Sequence, residues 1–161
     1  MTAQDIIDQT NAYRASKGLK PLTIDPVLQK AAEAHAQDMV SKNYFSHLTP
    51  DGKDFTAFIP SSNVYVKTGQ NLARHYPDAT TTMAAWKASP DHNKNLTDTI
   101  YNSTGVAVVP GSNMVVQYFG LPKTASTSAP QAKAPAPQPI PAILKTNNPA
   151  PINFNALTMK S

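Results

Sequence analysis

A break in composition near residue 121 limits where this chain can build a core. The stretch KTASTSAPQAKAPAPQPIP, which begins at Lys123, consists almost entirely of Pro, Ala, Ser, Thr, Gln and Lys. Such a segment cannot bury enough apolar surface to offset its ordering entropy, and its prolines favour an extended polyproline II form. We therefore predict one domain in residues 1–120 and an extended Pro-rich tail in residues 121–161.

The end of the tail differs, because five large apolar residues return within residues 143–157. Two interpretations stay open: this end is an unattached terminus, or it docks on its own domain or on a neighbour. Full burial of such side chains gains roughly 1.5–3 kcal/mol each, whereas ordering a backbone costs about 1–2 kcal/mol per residue. Stable docking would therefore need backbone pairing too, such as the addition of a strand to an exposed sheet edge.

Charge divides the chain at the same place. Residues 1–120 carry ten basic and ten acidic side chains, so the net charge of +4 comes from four scattered tail lysines. This pattern disfavours nucleic-acid binding despite a pI near 9.3. The absence of cysteine excludes disulfides and thiolate metal sites. The sequence contains no run of 18 apolar residues, so no membrane span is predicted. The start, MTAQDIIDQT, lacks a signal-peptide pattern, which does not exclude export.

Capping signals predict two long helices in the first third of the chain. Thr2 and Asp5 have capping-box spacing, and the helix that follows is expected to end near Gly18. The pair Asp25–Pro26 combines an N-cap with a proline at the first helical position. An alanine-rich apolar stripe continues this second helix to about Asn43, and its small residues predict close packing against a partner.

The rest of the domain predicts short helices and a final hairpin. Asp78 and the pair Ser89–Pro90 each favour the start of a short helix, while residues 54–68 stay ambiguous. GVAVVPGSNMVVQYFG is typical of two strands joined at Pro110–Gly111. Helices followed by a hairpin indicate the α+β class, with helices packed on an antiparallel sheet.

Several segments occur in an order that resembles a known family. These are NAYRASKGLKPLTIDPVLQKAAEAHAQDMVSKNYFSH, GQNLA, WKASPDHNKNL, GVAVV and VVQYFG, spread over residues 4–120. The chain resembles a bacterial member of the CAP superfamily, the SCP-like extracellular domain. The resemblance implies an α-β-α sandwich, usually secreted, with a cleft in which two His and two Glu bind a divalent metal in several members. It also implies binding of sterols, lipids or other partners, without a settled enzymatic activity.

The resemblance carries only part of that site over to this chain. His47 and His92 match the two family histidines, whereas the first glutamate position is Gln70 and the second falls in Lys87–Ser89 without a counterpart. The only Glu of the chain, Glu33, lies in the second helix. Two imidazoles and an amide make a poor zinc site, because structural zinc takes four good donors. We expect weak binding of zinc or another transition metal, or a site that keeps its histidines for hydrogen bonding, unless Asp51 or Asp91 substitutes.

His92 also has a local explanation, since Ser89 can cap a helix with the hydroxyl bonded to the His92 N–H. GQNLA has a local explanation too, with a glycine for a tight turn and Asn71 for backbone hydrogen bonds. Together with the resemblance, these residues predict a ligand cleft, in which His47 and His92 are the metal candidates. The predicted cleft residues are His47, Gln70, Asn71, Ser89 and His92. His35 and His75 match no family position, and we expect packing or surface for the first and a loop for the second.

These expectations favour non-catalytic recognition of a lipid, a glycan or a protein partner by a secreted or envelope-associated domain. A hydrolase, perhaps a peptidase, that uses the same histidines is the alternative. No G-x-S-x-G motif is present. A hydrolase would also need an acid to orient a histidine, and the nearest substitute, Gln70, could offer its amide but no charge. A third interpretation makes the tail a spacer that holds the domain near a cell envelope.

Overall fold

The structure is a computed structural model that describes residues 1–60 and 64–123. The domain predicted for residues 1–120 therefore falls almost wholly within it. The expectations for the tail beyond residue 123, including the two alternatives for residues 143–157, lie outside the described residues.

Four helices and four strands make up the described part, together with one short 3-10 helix at Phe55–Phe58. In chain order they are α1 (Ala3–Ser16), β1 (Thr23–Ile24), α2 (Pro26–Ser41), β2 (Tyr65–Ala73), α3 (Ala79–Ala88), α4 (Pro90–Thr97), β3 (Ser103–Val109) and β4 (Met114–Pro122). None of the helices described is long and apolar enough to cross a membrane.

The predicted capping residues begin three of these helices. Thr2 and Asp5 form a reciprocal capping box at α1. Asp25 accepts hydrogen bonds from the backbone N–H groups of residues 27 and 28 at the start of α2. Asp78 accepts one from the N–H of Thr81 at the start of α3. Each side chain satisfies N–H groups that have no partner within their helix.

The sheet has the strand order β1-β3-β4-β2, so β2 is an edge strand. The predicted hairpin is β3 and β4, and β2 pairs antiparallel with the other side of β4. The expected antiparallel pairing is present among β2, β3 and β4, and the short strand β1 adds a parallel pairing with β3. This pairing is only two residues long, Thr23–Ile24. The sheet is therefore mixed. Of the ambiguous residues 54–68, those that the structure describes include the 3-10 helix Phe55–Phe58 and the start of β2.

Helices cover both faces of this sheet, which confirms the α-β-α sandwich. Residues of α1, α3 and α4 share one buried cluster with Val106, Val115 and Phe119 of the sheet. Residues of α2 share a second cluster with Ala107, Val116 and other residues of the opposite face. The alanine-rich side of α2 approaches β3 so closely that a Cβ at Gly105 would lie 2.2 Å from the α2 backbone.

A buried arginine joins three segments at one end of the sandwich. The guanidinium of Arg14, on α1, is only 1% exposed and donates to four backbone carbonyl oxygens. The distances are 2.9 Å to Lys20, 2.9 Å to Leu96, 2.9 Å to Asp98 and 3.2 Å to Tyr101. Burial lowers the pKa of Arg14, and the nearby Asp98 carboxylate opposes this shift. The group thus ties α1 to the end of α4 and to the loop that leads into β3.

We expect Arg14→Met to lower the free energy of unfolding by about 3 kcal/mol, because it leaves several buried carbonyls without a donor. Arg14→Lys should fall between this variant and wild type, since an ammonium lacks the planar fork of donors. Lys30→Met, at an exposed cation of α2, is the matched control and should change little. The measurement is urea denaturation followed by circular dichroism. A loss in Arg14→Met no larger than in the control contradicts the assignment.

Candidate functional site

A cleft of about 530 Å³ lies along the outer edge of β2. Its floor is the segment Thr68–Gln70 of that strand. Because side chains alternate across a strand, Gln70 points toward the α2 side of the sheet and Gly69 toward the α4 side. The cleft therefore opens between the two helical layers. Its walls are His47 and Phe55 on one side, and Ser89, Asp91, His92, Asn95 and Tyr101 on the other.

The structure brings four of the five predicted cleft residues together. His47, Gln70, Ser89 and His92 all line this one cavity. The fifth, Asn71, is fully buried and is not among the lining residues. Its amide nitrogen donates to the His92 carbonyl oxygen at 3.1 Å, and its amide oxygen accepts from Asn95 at 2.9 Å. Asn71 therefore supports α4 from beneath the cleft.

His47 is oriented by an amide. Its Nδ1 lies 2.7 Å from Oε1 of Gln70, an acceptor, so Nδ1 carries the proton and Nε2 is the other ring nitrogen. The Gln70 side chain is itself buried, and its Nε2 lies 2.7 Å from Nδ1 of His35. A continuous chain of hydrogen bonds thus runs from the cleft through Gln70 to a histidine inside the domain.

His35 is a fully buried member of this chain. Its ring stacks on Phe58 with a centroid distance of 4.4 Å, and the Tyr118 hydroxyl lies 3.3 Å from its Nδ1. Its Nε2 is the one buried side-chain nitrogen or oxygen without a hydrogen-bond partner in residues 1–60 and 64–123. The pKa of His35 is lowered to about 4, chiefly by burial; Asp38 opposes this shift and the nearby His47 contributes to it. His35 is therefore neutral at pH 7.

The Gln70 amide couples the tautomers of the two histidines. One end of an amide donates and the other accepts, so the two neutral rings that it joins must carry their protons on different nitrogens. With the amide oriented as in the structure, Nδ1 of His47 faces its oxygen and Nδ1 of His35 faces its nitrogen, which assigns the protons to Nδ1 of His47 and Nε2 of His35. Turning the amide over would reverse both rings together. Whether Nε2 of His47 accepts or donates a hydrogen bond in the cleft therefore depends on the Gln70 amide and on His35 inside the domain.

His92 stands on the opposite wall, in the first turn of α4. Burial lowers its pKa, and the nearby His47 lowers it further. The predicted cap is only half right: Ser89 is the N-cap residue, but its side chain makes no capping hydrogen bond. Pro90 and the Asn71 bond to the His92 carbonyl oxygen position the helix start instead. The Ser89 hydroxyl is thus left on the wall of the cleft.

GQNLA does not form the expected turn, because all five residues belong to β2. Gly69 is needed for a close approach: a Cβ there would lie 2.5 Å from the Tyr101 hydroxyl and 2.9 Å from Oδ1 of Asn95. The absence of a side chain at Gly69 lets α4 and Tyr101 pack against the edge of the strand. Burial raises the pKa of Tyr101 to about 12, so its hydroxyl is protonated at neutral pH.

The donors in this cleft do not fit a zinc site. In the part of the chain that the structure describes, no group of three or more His, Cys, Asp or Glu side chains is placed to hold a metal ion. The amide oxygen of Gln70 is already bonded to Nδ1 of His47. Asp51 pairs with Lys53 at 2.7 Å, and Asp91 lines the cleft without completing such a group. His47 and His92 remain as two imidazoles in one cavity, fewer donors than a protein zinc site normally has.

Sequence reasoning missed the role of His35. The signal was present, since His35 lies seven residues after Leu28 and four before Met39, on the same helical stripe. All three are fully buried. What the stripe does not reveal is the partner, because Gln70 is 35 residues away and meets His35 only when β2 takes its place at the sheet edge.

A three-layer sandwich with a histidine-bearing cleft at the edge of its sheet defines the class of this domain. The sequence profile of the cysteine-rich secretory protein family, CAP, matches residues 7–119. The chain belongs to the CAP family. The chain has no cysteine, so no disulfide joins its layers. The two buried clusters and the polar contacts between the layers stabilise the sandwich instead.

Individual relatives agree with this assignment. The chain is 36% identical over 115 residues to the Bacillus subtilis protein YkwD, covering 71% of this chain and 45% of that one. It is similar to an extracellular protein containing a SCP domain from Bacillus anthracis, with a TM-score of 0.68 and 29% identity. That match covers 73% of this chain and 39% of the other. It is also similar to a cysteine-rich secretory protein from Staphylococcus aureus, with a TM-score of 0.63 and 25% identity. That match covers 73% of this chain and 37% of the other. The chain spans less than half the length of each of these relatives.

We expect Gln70→Glu to raise the affinity for zinc roughly tenfold. The reason differs from direct ligation: a carboxylate bonded to Nδ1–H makes His47 a better donor through Nε2. Gln37→Glu, on the exposed side of α2, introduces the same charge and is the control. Calorimetric titration of the three proteins at one pH measures the effect. An affinity that is unchanged or weaker in Gln70→Glu contradicts this role for residue 70.

Proposed function

We propose that this CAP domain is a non-catalytic recognition domain that binds its ligand in the cleft between His47 and His92. The observation that carries the proposal is the set of hydrogen-bond partners of these two rings. In residues 1–60 and 64–123, no hydroxyl hydrogen-bonds to either ring, and the only side-chain partner is the Gln70 amide. A nucleophile bonded to a base, with an acid to orient that base, is the arrangement that hydrolysis requires.

The lining of the cleft suits hydrogen bonding to a polar ligand beside an apolar surface. The side chains of Ser89, Asn95 and Tyr101 supply polar groups, while Phe55 adds an aromatic wall. A largely preformed cleft with a few convergent polar groups is the usual form of a binding site. The ligand that we propose for this cleft is a lipid, a glycan or a protein partner.

The setting that we propose is the cell exterior or the cell envelope. The solved relatives from Bacillus anthracis and Staphylococcus aureus carry names that describe an extracellular and a secretory protein. The absence of cysteine is compatible with export, because disulfides are not needed by every exported domain. The further prediction that the tail acts as an envelope spacer concerns residues outside the described range.

A hydrolase is the competing candidate, and one observation favours it. The Ser89 hydroxyl makes no capping bond and lines the same cavity as both histidines. Apo geometry alone does not exclude a nucleophile whose bond to the base forms only with substrate. The experiment below therefore measures turnover as well as binding.

The test compares His47→Ala and His92→Ala with His75→Asn, a change at an exposed loop histidine with positive φ. The probes are phosphatidylcholine vesicles with and without cholesterol, a panel of soluble oligosaccharides, and a peptide pool. NMR shifts of the amides of Gly69 and Asn95 report binding. Ester and peptide hydrolysis and fluorophosphonate labelling report turnover.

We expect at least one probe class to shift these amides in wild type and in His75→Asn, with about a tenfold loss of affinity in each alanine variant. We expect wild type to hydrolyse no probe faster than His47→Ala or His92→Ala does. Turnover or labelling that disappears in His47→Ala or His92→Ala contradicts the non-catalytic proposal. Binding that neither alanine variant weakens contradicts the placement of the site.

A further inference from the structure

In one half of the free edge of β2, side chains of the helices hydrogen-bond to the backbone, and in the other half the described residues make no such bonds. Asn95 of α4 donates its amide to the carbonyl oxygen of Gln70 at 3.1 Å. Trp86 of α3 donates its indole N–H to the carbonyl oxygen of Leu72 at 3.0 Å. These side chains satisfy the backbone acceptors of β2 from Gln70 onward. They also show that residues 70 and 72 direct their backbone groups away from β4.

Contacts of the neighbouring strand, β4, show independently which residues of β2 direct their backbone groups away from β4. The carbonyl oxygens of Tyr118 and Gly120 accept hydrogen bonds from the hydroxyls of Thr104 and Ser103, which lie on the β3 side. Their register partners in β2 are Gln70 and Thr68. In an antiparallel ladder, such residues turn their backbone groups away from each other. The N–H and C=O of Thr68 and the N–H of Gln70 therefore point outward from the sheet.

These three outward groups lie at the floor of the cleft. Thr68, Gly69 and Gln70 line the cavity, with His47 on one side and His92 on the other. No hydrogen bond to the outward groups of Thr68 or to the Gln70 N–H is made by side chains or loops of residues 1–60 and 64–123. The edge continues past the cleft to Val66, which is 64% exposed.

We propose that this edge binds an extended peptide segment of a partner protein, which adds to β2 as a further strand within the cleft. The proposal rests on the recognition function above and names its ligand class. Backbone pairing would supply affinity, because the three groups accept and donate in the pattern that an extended peptide offers. Alternate side chains of the peptide would enter the His47 side and the His92 side of the cleft.

Charge indicates which peptides fit. Asp91 is the carboxylate among the lining residues, and the lining includes no Lys or Arg. The nearby cation, Lys67, pairs with Asp98 at 2.5 Å and lies over the Tyr101 ring. A peptide with a Lys or Arg beside the His92 wall would meet Asp91 without a competing cation from the lining. A lipid chain would leave the outward backbone groups without partners, which is costly once water is excluded.

The experiment uses the full 161-residue chain and a pool of acetylated, amidated heptapeptides with a central Lys and random flanks, at millimolar total concentration. A second pool, N-methylated on alternate backbone nitrogens, is the matched control ligand. Amide hydrogen exchange by NMR is the first readout. In the free protein, the amides of Thr68 and Gln70 should exchange faster than those of Lys67 and Gly69, which face β4. The first pool should protect Thr68 and Gln70, and the methylated pool should not.

Two substitutions at one position separate backbone pairing from side-chain contact. Thr68→Pro removes an outward N–H, which a sheet edge tolerates, whereas Thr68→Val retains it. We expect Thr68→Pro to weaken binding of the pool about tenfold and Thr68→Val to bind like wild type. Circular dichroism and the exchange of Gly69 verify that the sheet is intact in both.

The proposal is overturned if Thr68 and Gln70 are already protected in the free chain, or if the peptide pool does not protect them. It is also overturned if both pools bind equally, or if protection rises with protein concentration alone, which would indicate pairing between two copies. If peptides fail but vesicles or oligosaccharides bind in a way that needs His47 and His92, only this inference fails. If peptides bind at Thr68 with both histidines replaced, the strand site stands and the proposed role of the histidines fails.

Discussion

The side-chain amide of Gln70 is the contact on which the site most depends. It is buried at the edge of the sheet and bonds at 2.7 Å to a histidine on either side. One of these, His47, faces the cleft, and the other, His35, is inside the α2 layer. Because a neutral amide has one donor end and one acceptor end, it sets which nitrogen of His47 is available to a ligand. A carboxylate at this position would accept from both rings and would remove that coupling.

The opposite wall depends on contacts that hold α4 against the strand edge. Arg14 binds the carbonyls at the end of α4, and Asn71 binds the carbonyl oxygen of His92 near its start. Between them, Asn95 reaches the backbone of β2. None of these contacts involves a metal or a disulfide, so a chain without cysteine and with a single glutamate still places two histidines in one cleft. In the α2 layer, by contrast, Nε2 of His35 is buried without a hydrogen-bond partner in the described residues.

Local signals predicted most of the helices and the final hairpin, because capping boxes, Asp–Pro pairs and Pro–Gly turns act over a few residues. The two-residue strand β1 has no such signal, so its parallel pairing with β3 was not predicted. The resemblance predicted that His47, Gln70 and His92 would come together. The sequence did not predict the link to His35, the burial of Asn71 or the unused hydroxyl of Ser89, because each depends on a partner far along the chain or on a rotamer.

The most direct test of this account is the protonation of the histidine rings, read from their nitrogen chemical shifts in long-range proton–nitrogen NMR spectra at about pH 8, above the usual range of histidine pKa values. The account predicts the Nδ1–H tautomer for His47 and the Nε2–H tautomer for His35, and loss of this opposition in Gln70→Leu, where nothing joins the rings. The same tautomer in both rings of the wild-type protein, or an unaltered pattern in Gln70→Leu, would contradict the claim that the Gln70 amide governs the cleft.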